Sequence, residues 1–293
     1  MTGRQLGLRV VSLGEDVRVI APAAQRMGYQ GVQLDVRMGE LDLCQLSGSG
    51  RREVRHLFEA HDLKLASVRM QVEGNAIIGQ SDRALWAVQR VMEAAVGLGV
   101  KTVCVDLGQL PIAANSPTAR PSVTPKQAGL IILPEMVKVE PVELSTPADE
   151  QAWITVDGIL REVGQLADRM GLTLAFSSEL SSLASVKRAA VRPQCPLFGV
   201  DLDAVSMLRD RWSLDKTLDE VGALTRHVRA RDALQGSGGR TRPAGIGQGS
   251  LNWPELLVGL DDGGYGGWVI VDTVDLTDRV GEARRALAVL RDK

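Results

Sequence analysis

The sequence predicts a (β/α)8 TIM barrel with a long insertion after strand 4. Two observations carry this reading. Short apolar or β-branched runs alternate with longer amphipathic segments along nearly the whole chain, the pattern of repeated βα units around a parallel sheet. Eight such strands can be counted in 293 residues, somewhat above the roughly 250 typical of a closed barrel. A doubly wound open sheet is the structural alternative.

The elements follow in order. Leu6–Leu13 reads as a strand, Asp16–Met27 as a helix, Gly31–Arg37 as a strand, Arg51–His61 as a helix and Lys64–Met70 as the third strand. Ser81–Leu98 has apolar residues at helical spacing (Leu85, Val88, Val91, Met92, Ala95), a capping Ser81, and Gly99 as a stop before the strand Val100–Leu107. The helix Ile154–Met170 and the strand Leu172–Ser178 come next, then the sixth strand Leu197–Asp203. Leu214–Leu224 is a helix leading into His227–Asp232, Trp253–Leu260 a helix before the strand Trp268–Thr273, and Arg279–Leu290 the final helix.

Two stretches break the rhythm: Gln109–Glu150, rich in proline with an apolar Leu130–Leu133, and the glycine-rich Gln235–Gly249. Both follow strands and so belong at the barrel mouth. The first is long enough for a hairpin, a lid or a homo-oligomer contact, or is a plain surface excursion. The second fits neither a P-loop nor a dinucleotide fingerprint and is read as a flexible loop. No second domain is evident, so residues 1–293 read as one barrel domain.

Composition narrows the partners. With 44% hydrophobic and 24% charged residues the chain is that of a folded globular protein, and its formal net charge of −2 gives no basic footprint for nucleic acid. Cys44, Cys104 and Cys195 lie far apart without CxxC spacing, which suggests neither a disulfide framework nor a structural zinc motif. The amino terminus lacks signal-peptide features and no apolar run approaches a membrane span, so the expectation is cytoplasmic with no membrane partner.

Function should lie at the carboxyl ends of the strands, where a barrel presents its concave surface. Buried parallel strands should be almost wholly apolar. Gln33, Asp35, Arg69, Asp201, Asp203, Arg229, Arg231 and Asp272 therefore stand out, each late in its strand. Alternation puts Gln33 with Asp35, Asp201 with Asp203, and His227 with Arg229 and Arg231 on shared, inward faces. The alternatives are solvated strand ends or charge pairs that lock the barrel. His56 and His61 fall on an outer helix and read as surface residues, and His227 reads first as a buried structural histidine.

Several segments also resemble a known family. Gly28–Leu34 (GYQGVQL) is similar to "GYDGVEL", Ala167–Ala175 (ADRMGLTLA) to the approach to a fifth strand, and Gly199–Asp203 to a sixth strand ending in aspartate. His227–Asp232 (HVRARD) is similar to "HVHLKD", Pro243–Trp253 (PAGIGQGSLNW) to "PGEGEVDW", and Gly264–Asp272 (GYGGWVIVD) to "GYDGWVSIE". In this order and spacing they resemble the xylose-isomerase-like barrels, which include ketose 3-epimerases, inosose dehydratases and sugar phosphate isomerases. Endonuclease IV shares the superfamily, but its histidine-rich zinc site has no counterpart in a chain with three histidines.

The resemblance implies a divalent metal (Mn, Mg, Co or Zn) held by a glutamate after strand five, an aspartate after strand six, a histidine on strand seven and a glutamate after strand eight. Matching the motifs puts Ser177, Asp203, Arg229 and Asp272 at those positions, with Ser206 where a further histidine would stand. A two-residue slip on strand five would substitute Glu179 for Ser177. A guanidinium offers no lone pair and repels a cation, so no bound metal is expected, with Asp203 and Asp272 the ligands if any binds. Arg229 is expected to fill the metal's space and pair with both carboxylates.

Three readings follow: a sugar isomerase or epimerase with an altered site, a non-catalytic barrel binding a small polyhydroxylated or anionic ligand, and a scaffold using the 109–150 insertion. Asp272, Asp203 and Glu179 are the catalytic candidates. Gln33, Arg69, Ser177, Arg229, Arg231 and Arg242 are the ligand-binding candidates, with Arg69, Arg231 and Arg242 suiting phosphate or carboxylate.

Overall fold

The computed structural model describes residues 4–70, 81–113, 145–236 and 240–291. Eight parallel strands close into a barrel: β1 (Gln5–Arg9), β2 (Gly31–Asp35), β3 (Lys64–Met70), β4 (Thr102–Asp106), β5 (Thr173–Ser177), β6 (Phe198–Asp203), β7 (Thr225–Ala230) and β8 (Trp268–Val271). Each pairs with its neighbours in sequence, and β1 closes the circle against β8, Gln5 opposite Trp268 through Leu8 opposite Val271. The open-sheet alternative is thereby excluded.

The helices follow from their caps and apolar stripes. Val17–Met27 starts where the Asp16 side chain accepts from the Arg18 amide and ends at Gly28 with φ +91°, a left-handed conformation that suits glycine. Pro147–Met170 starts seven residues before the predicted Ile154. Thr146 and Asp149 form a capping box there, and Pro147 takes the first-turn position where its missing N–H costs nothing. Gln109–Glu150 is accordingly shorter as an irregular segment than the sequence suggests.

One end of that segment is firmly anchored. Leu110 and Ala113 amides donate to Ser181 and Ser185 hydroxyls at 2.9 and 3.0 Å, and Trp153 Nε1 donates to the Ile112 carbonyl at 3.1 Å. The expected hairpin, lid or subunit contact, including Leu130–Leu133, falls on residues 114–144, outside the described residues. The helix Leu183–Val191 between β5 and β6 went unassigned in the sequence, and Ser182 caps it by accepting from Ser185 N.

Apolar residues on the outer strand faces meet the helices. Trp153, Phe58, Leu34 and Ile20 are essentially fully buried, and Phe176 stacks on Phe198 with ring centroids 5.3 Å apart. Tight registers need glycine in places: a Cβ on Gly199 would lie 2.2 Å from the Leu224 carbonyl oxygen. Inside the barrel the pattern is the reverse. Arg9, Gln33, Asp35, Ser67, Arg69, Asp201, Asp203, His227, Arg229 and Asp272 are all buried.

Candidate functional site

Strand alternation delivers the polar side chains to the barrel axis in layers. β1 ends at Arg9, where the chain turns into a 3-10 segment (Val10–Ser12) rather than running on to Leu13. That early end places the Arg9 guanidinium in the mouth. Its Nε lies 3.1 Å from both Asp35 oxygens, and its Nη1 donates to Asp272 Oδ2 at 2.9 Å.

Asp272 Oδ2 also receives Arg229 Nε at 2.7 Å and Nη2 at 2.6 Å, while Oδ1 accepts from the Val274 amide at 3.1 Å. Arg229 Nη1 reaches Asp203 Oδ2 at 3.5 Å, so the pairing expected of Arg229 with two carboxylates is present. Asp203 takes in addition Arg231 Nε at 3.2 Å, Arg231 Nη2, and the Val205 amide at 3.1 Å. Arg231 continues to Asp275 at 3.1 Å. Arg69 donates to Asp201 Oδ2 at 2.7 Å and to the Ser177 hydroxyl at 3.3 Å.

These contacts set the acid–base character. Burial works against the ionised form of Asp272, but Arg229 and Arg9 overcome it and hold the carboxyl far below the usual range. Asp203 is lowered against its burial by Arg231 and Arg229, and Asp201 against its burial by His227 and Arg69. Desolvation likewise opposes the charge on Arg229, but Asp272 and Asp203 raise its pKa further. All of these groups stay charged, and their lone pairs and protons are committed to one another.

Asp106, at the end of β4, differs. Its Oδ1 accepts from the Gly108 amide at 2.8 Å, and it has no ion-pair partner among the described residues. Burial pushes its carboxyl up, only partly opposed by that amide. Neither Arg9 nor Asp106 was singled out in the sequence.

The remaining candidates separate. Ser177 faces the barrel interior, and Glu179, two residues past the end of β5, reaches the mouth. Glu179 is exposed and sits 3.5 Å from Arg209. Ser206 is buried and accepts from Arg209 at 3.0 Å. Arg242 is exposed on the antiparallel pair Asp232–Gln235 and Thr241–Ala244, and alternation turns it away from the cleft that Thr241 and Pro243 line. The glycine-rich segment is not a free loop in its described part: Asp232 Oδ2 accepts from the amides of Gly247 and Gly249 and from Trp253 Nε1.

A cleft of about 210 Å³ opens over β6–β8, lined by Glu179, Arg209, Arg231, Asp272, Asp275 and Pro243 among others. It is at the small end for a ligand pocket and suits one small polar molecule. Below it, a buried cluster joins His227 Nδ1 to Asp201 at 2.7 Å and brings His227 Nε2 to Ser67 at 3.1 Å and to the Gln33 amide nitrogen at 3.3 Å.

The donors at the four metal positions implied by the fold are a hydroxyl, two carboxylates and a guanidinium. The carboxylates already accept from three arginines, and Arg229 stands between them. This set does not fit a divalent ion, which needs several free oxygen or nitrogen donors.

Known proteins place the chain. Among solved structures it is similar to a xylose isomerase domain protein from Planctomyces limnophilus (TM-score 0.70, 14% identity, covering 98% of this chain and 96% of that one). It is also similar to 3-keto-D-glucoside 4-epimerase from E. coli (0.67, 18%, 98% and 99%). A third is D-psicose 3-epimerase with D-tagatose from Clostridium cellulolyticum H10 (0.67, 14%, 98% and 98%). No curated protein sequence matches, and at such low identity the structural likeness shows the fold alone. Residues 21–293 match the family described as "Xylose isomerase-like TIM barrel", and the chain belongs to that family.

Proposed function

We propose that the barrel mouth binds a small, neutral polyhydroxylated molecule of the sugar or polyol class, and does so without the divalent ion of its family. The observation that carries this reading is the Arg229 guanidinium between Asp203 and Asp272. The N–H groups of Arg231 can donate to ligand hydroxyls at the cleft wall, and Asp275 and Glu179 can accept from them. The sugar enzymes among its structural neighbours support the ligand class.

A neutral ligand is favoured over a phosphorylated one by the charge pairing. Arg69 and Arg231, two of the arginines that the sequence offers for an anion, each already face a carboxylate, as does Arg229. An anion would have to displace it. Binding without turnover is favoured by the same contacts: a general base works best with a pKa near the working pH, and Asp272 and Asp203 are held far below it. Ser177 cannot replace a glutamate as the second proton carrier.

One observation favours a second reading, with turnover. Asp106 is an unclamped mouth carboxyl with a raised pKa, the character of a proton-transfer group. Titration calorimetry with D-tagatose, D-fructose and their phosphates, with and without Mn²⁺, tests the main reading. Metal-independent binding of a free sugar supports it; binding only with Mn²⁺, or only of phosphates, overturns it. Isomerisation of a bound sugar that disappears in Asp106→Asn establishes the second.

A further inference from the structure

The layer beneath the mouth carries its own chemistry. Four side chains from four strands converge there: Gln33 on β2, Ser67 on β3, Cys104 on β4 and His227 on β7, all essentially inaccessible to solvent. The Gln33 amide nitrogen lies 2.9 Å from Ser67 Oγ, 3.3 Å from His227 Nε2 and 3.5 Å from Cys104 Sγ, and Ser67 Oγ lies 3.1 Å from His227 Nε2. Two donors bound tetrahedrally at zinc–ligand distances are separated by about 3.3–3.7 Å. The spacings from the Gln33 amide to His227 and Cys104, 3.3 and 3.5 Å, lie within that range, and the two to Ser67, 2.9 and 3.1 Å, are shorter.

We propose that Gln33, Ser67, Cys104 and His227 form a buried tetrahedral site for a borderline-soft divalent cation of the zinc type, distinct from the mouth above it. Three features support this. The first is the histidine. Asp201 accepts from His227 Nδ1 at 2.7 Å, which fixes the proton there and leaves the Nε2 lone pair directed into the cluster. A carboxylate behind an imidazole is the usual arrangement for orienting a metal-bound histidine. The second is the thiol: the Cys104 sulfur lies within 4.8 Å of a ring nitrogen of His227.

The third is an orphan. Gln33 Oε1 is buried and has no hydrogen-bond partner among the described residues. As placed, the amide nitrogen faces the cluster; a half turn brings the oxygen toward His227, Ser67 and Cys104 and leaves the nitrogen in the orphan position. Arg69, the nearest cation, is already neutralised by Asp201 at 2.7 Å. On binding, the Cys104 S–H bond breaks, its proton leaves to water, and the sulfur electron pair goes to the ion with no change of oxidation state. The core location means that the ion enters as the barrel folds.

The experiment is to unfold the protein with a chelator, refold it in Co²⁺, and record the absorption spectrum. A thiolate-to-cobalt charge-transfer band with intense tetrahedral d–d bands at one equivalent is expected. It should vanish in Cys104→Ser, weaken at least tenfold in His227→Gln, and persist in Cys44→Ser and Cys195→Ser. A refolded wild-type protein with native circular dichroism and no thiolate band in excess Co²⁺ overturns the proposal, as does a band that survives Cys104→Ser. The wild-type spectrum decides the matter even where a variant fails to fold. Cobalt at the mouth would have oxygen donors only and no thiolate band.

Discussion

Arg229 Nε lies 2.7 Å from Asp272 Oδ2, in the position where related barrels set a metal-binding histidine opposite a metal-binding glutamate in the resemblance drawn from sequence. The pair is buried and shared: Arg9 holds the same carboxylate oxygen and Asp203 the same guanidinium. Replacing one partner of a buried ion pair leaves an uncompensated charge.

Arg229→Met should therefore destabilise the fold by about 3 kcal/mol, the low end for a broken buried pair because Arg9 still faces Asp272. Arg229→His should fall short of that loss and recover stability on addition of Mn²⁺, since imidazole adds a donor between two carboxylates. Urea unfolding with and without Mn²⁺ measures both. Equal loss in the two variants and no response to Mn²⁺ would show that Arg231 and Arg9 keep the carboxylates closed to metal.

The same carboxylates fix the response to acid. Asp201, Asp203 and Asp272 have folded-state pKa values below their unfolded value of about 3.9. A depressed pKa gives stability that is fully present above the unfolded value and lost as pH falls through it toward the folded one. The urea midpoint should therefore be insensitive to these groups from neutral pH down to about 5 and should drop steeply below about 4. A midpoint that falls already between pH 7 and 5 would assign acid sensitivity to other groups.

What the sequence disclosed followed from side-chain period. Wherever two polar residues two apart broke an apolar strand, as at Gln33 and Asp35, Asp201 and Asp203, or His227 and Arg229, both proved to point into the barrel. Arg9 escaped because Val10 and Val11 extend the apolar run past the true strand end, and a single charge shows no alternation. Asp106 was hidden in the same way, alone at the end of an apolar strand. The start of Pro147–Met170 was missed because its capping box closes with Asp149 instead of the commoner glutamate or glutamine. Which arginine met which carboxylate depended on barrel closure, which local pattern does not encode.

Closure itself can be tested at Gly199. Its absent side chain lets β6 approach β7 so closely that a Cβ would sit 2.2 Å from the Leu224 carbonyl oxygen and 2.7 Å from Arg226 Cγ. The carbonyl belongs to the backbone and cannot swing aside. Gly199→Ala should cost about 2–3 kcal/mol as overpacking, against the small gain alanine brings at an open site. A thermal midpoint equal to that of the wild type would mean that the two strands can separate without loss.

Asp232 offers a test of the cleft wall. Its two oxygens accept from the amides of Ala233, Gly247 and Gly249 and from Trp253 Nε1, at 2.8, 2.9, 3.2 and 3.0 Å. One carboxylate thus ties the end of the antiparallel pair to the glycine segment and to the helix that Trp253 begins. Asp232→Ala strands four donors, three of them backbone, and hydrogen bonds to a charged acceptor contribute about 1.5–3 kcal/mol. The fold should survive with the loss concentrated locally, so amide exchange at Gly247 and Gly249 should accelerate far more than exchange in β2 or β6. Sugar affinity should fall with it, because Ala233, Ala244 and Ile246 line the same cleft. Uniform acceleration across the barrel would instead make Asp232 part of the global core, and unchanged exchange at the two glycines would show that the segment is held by other contacts.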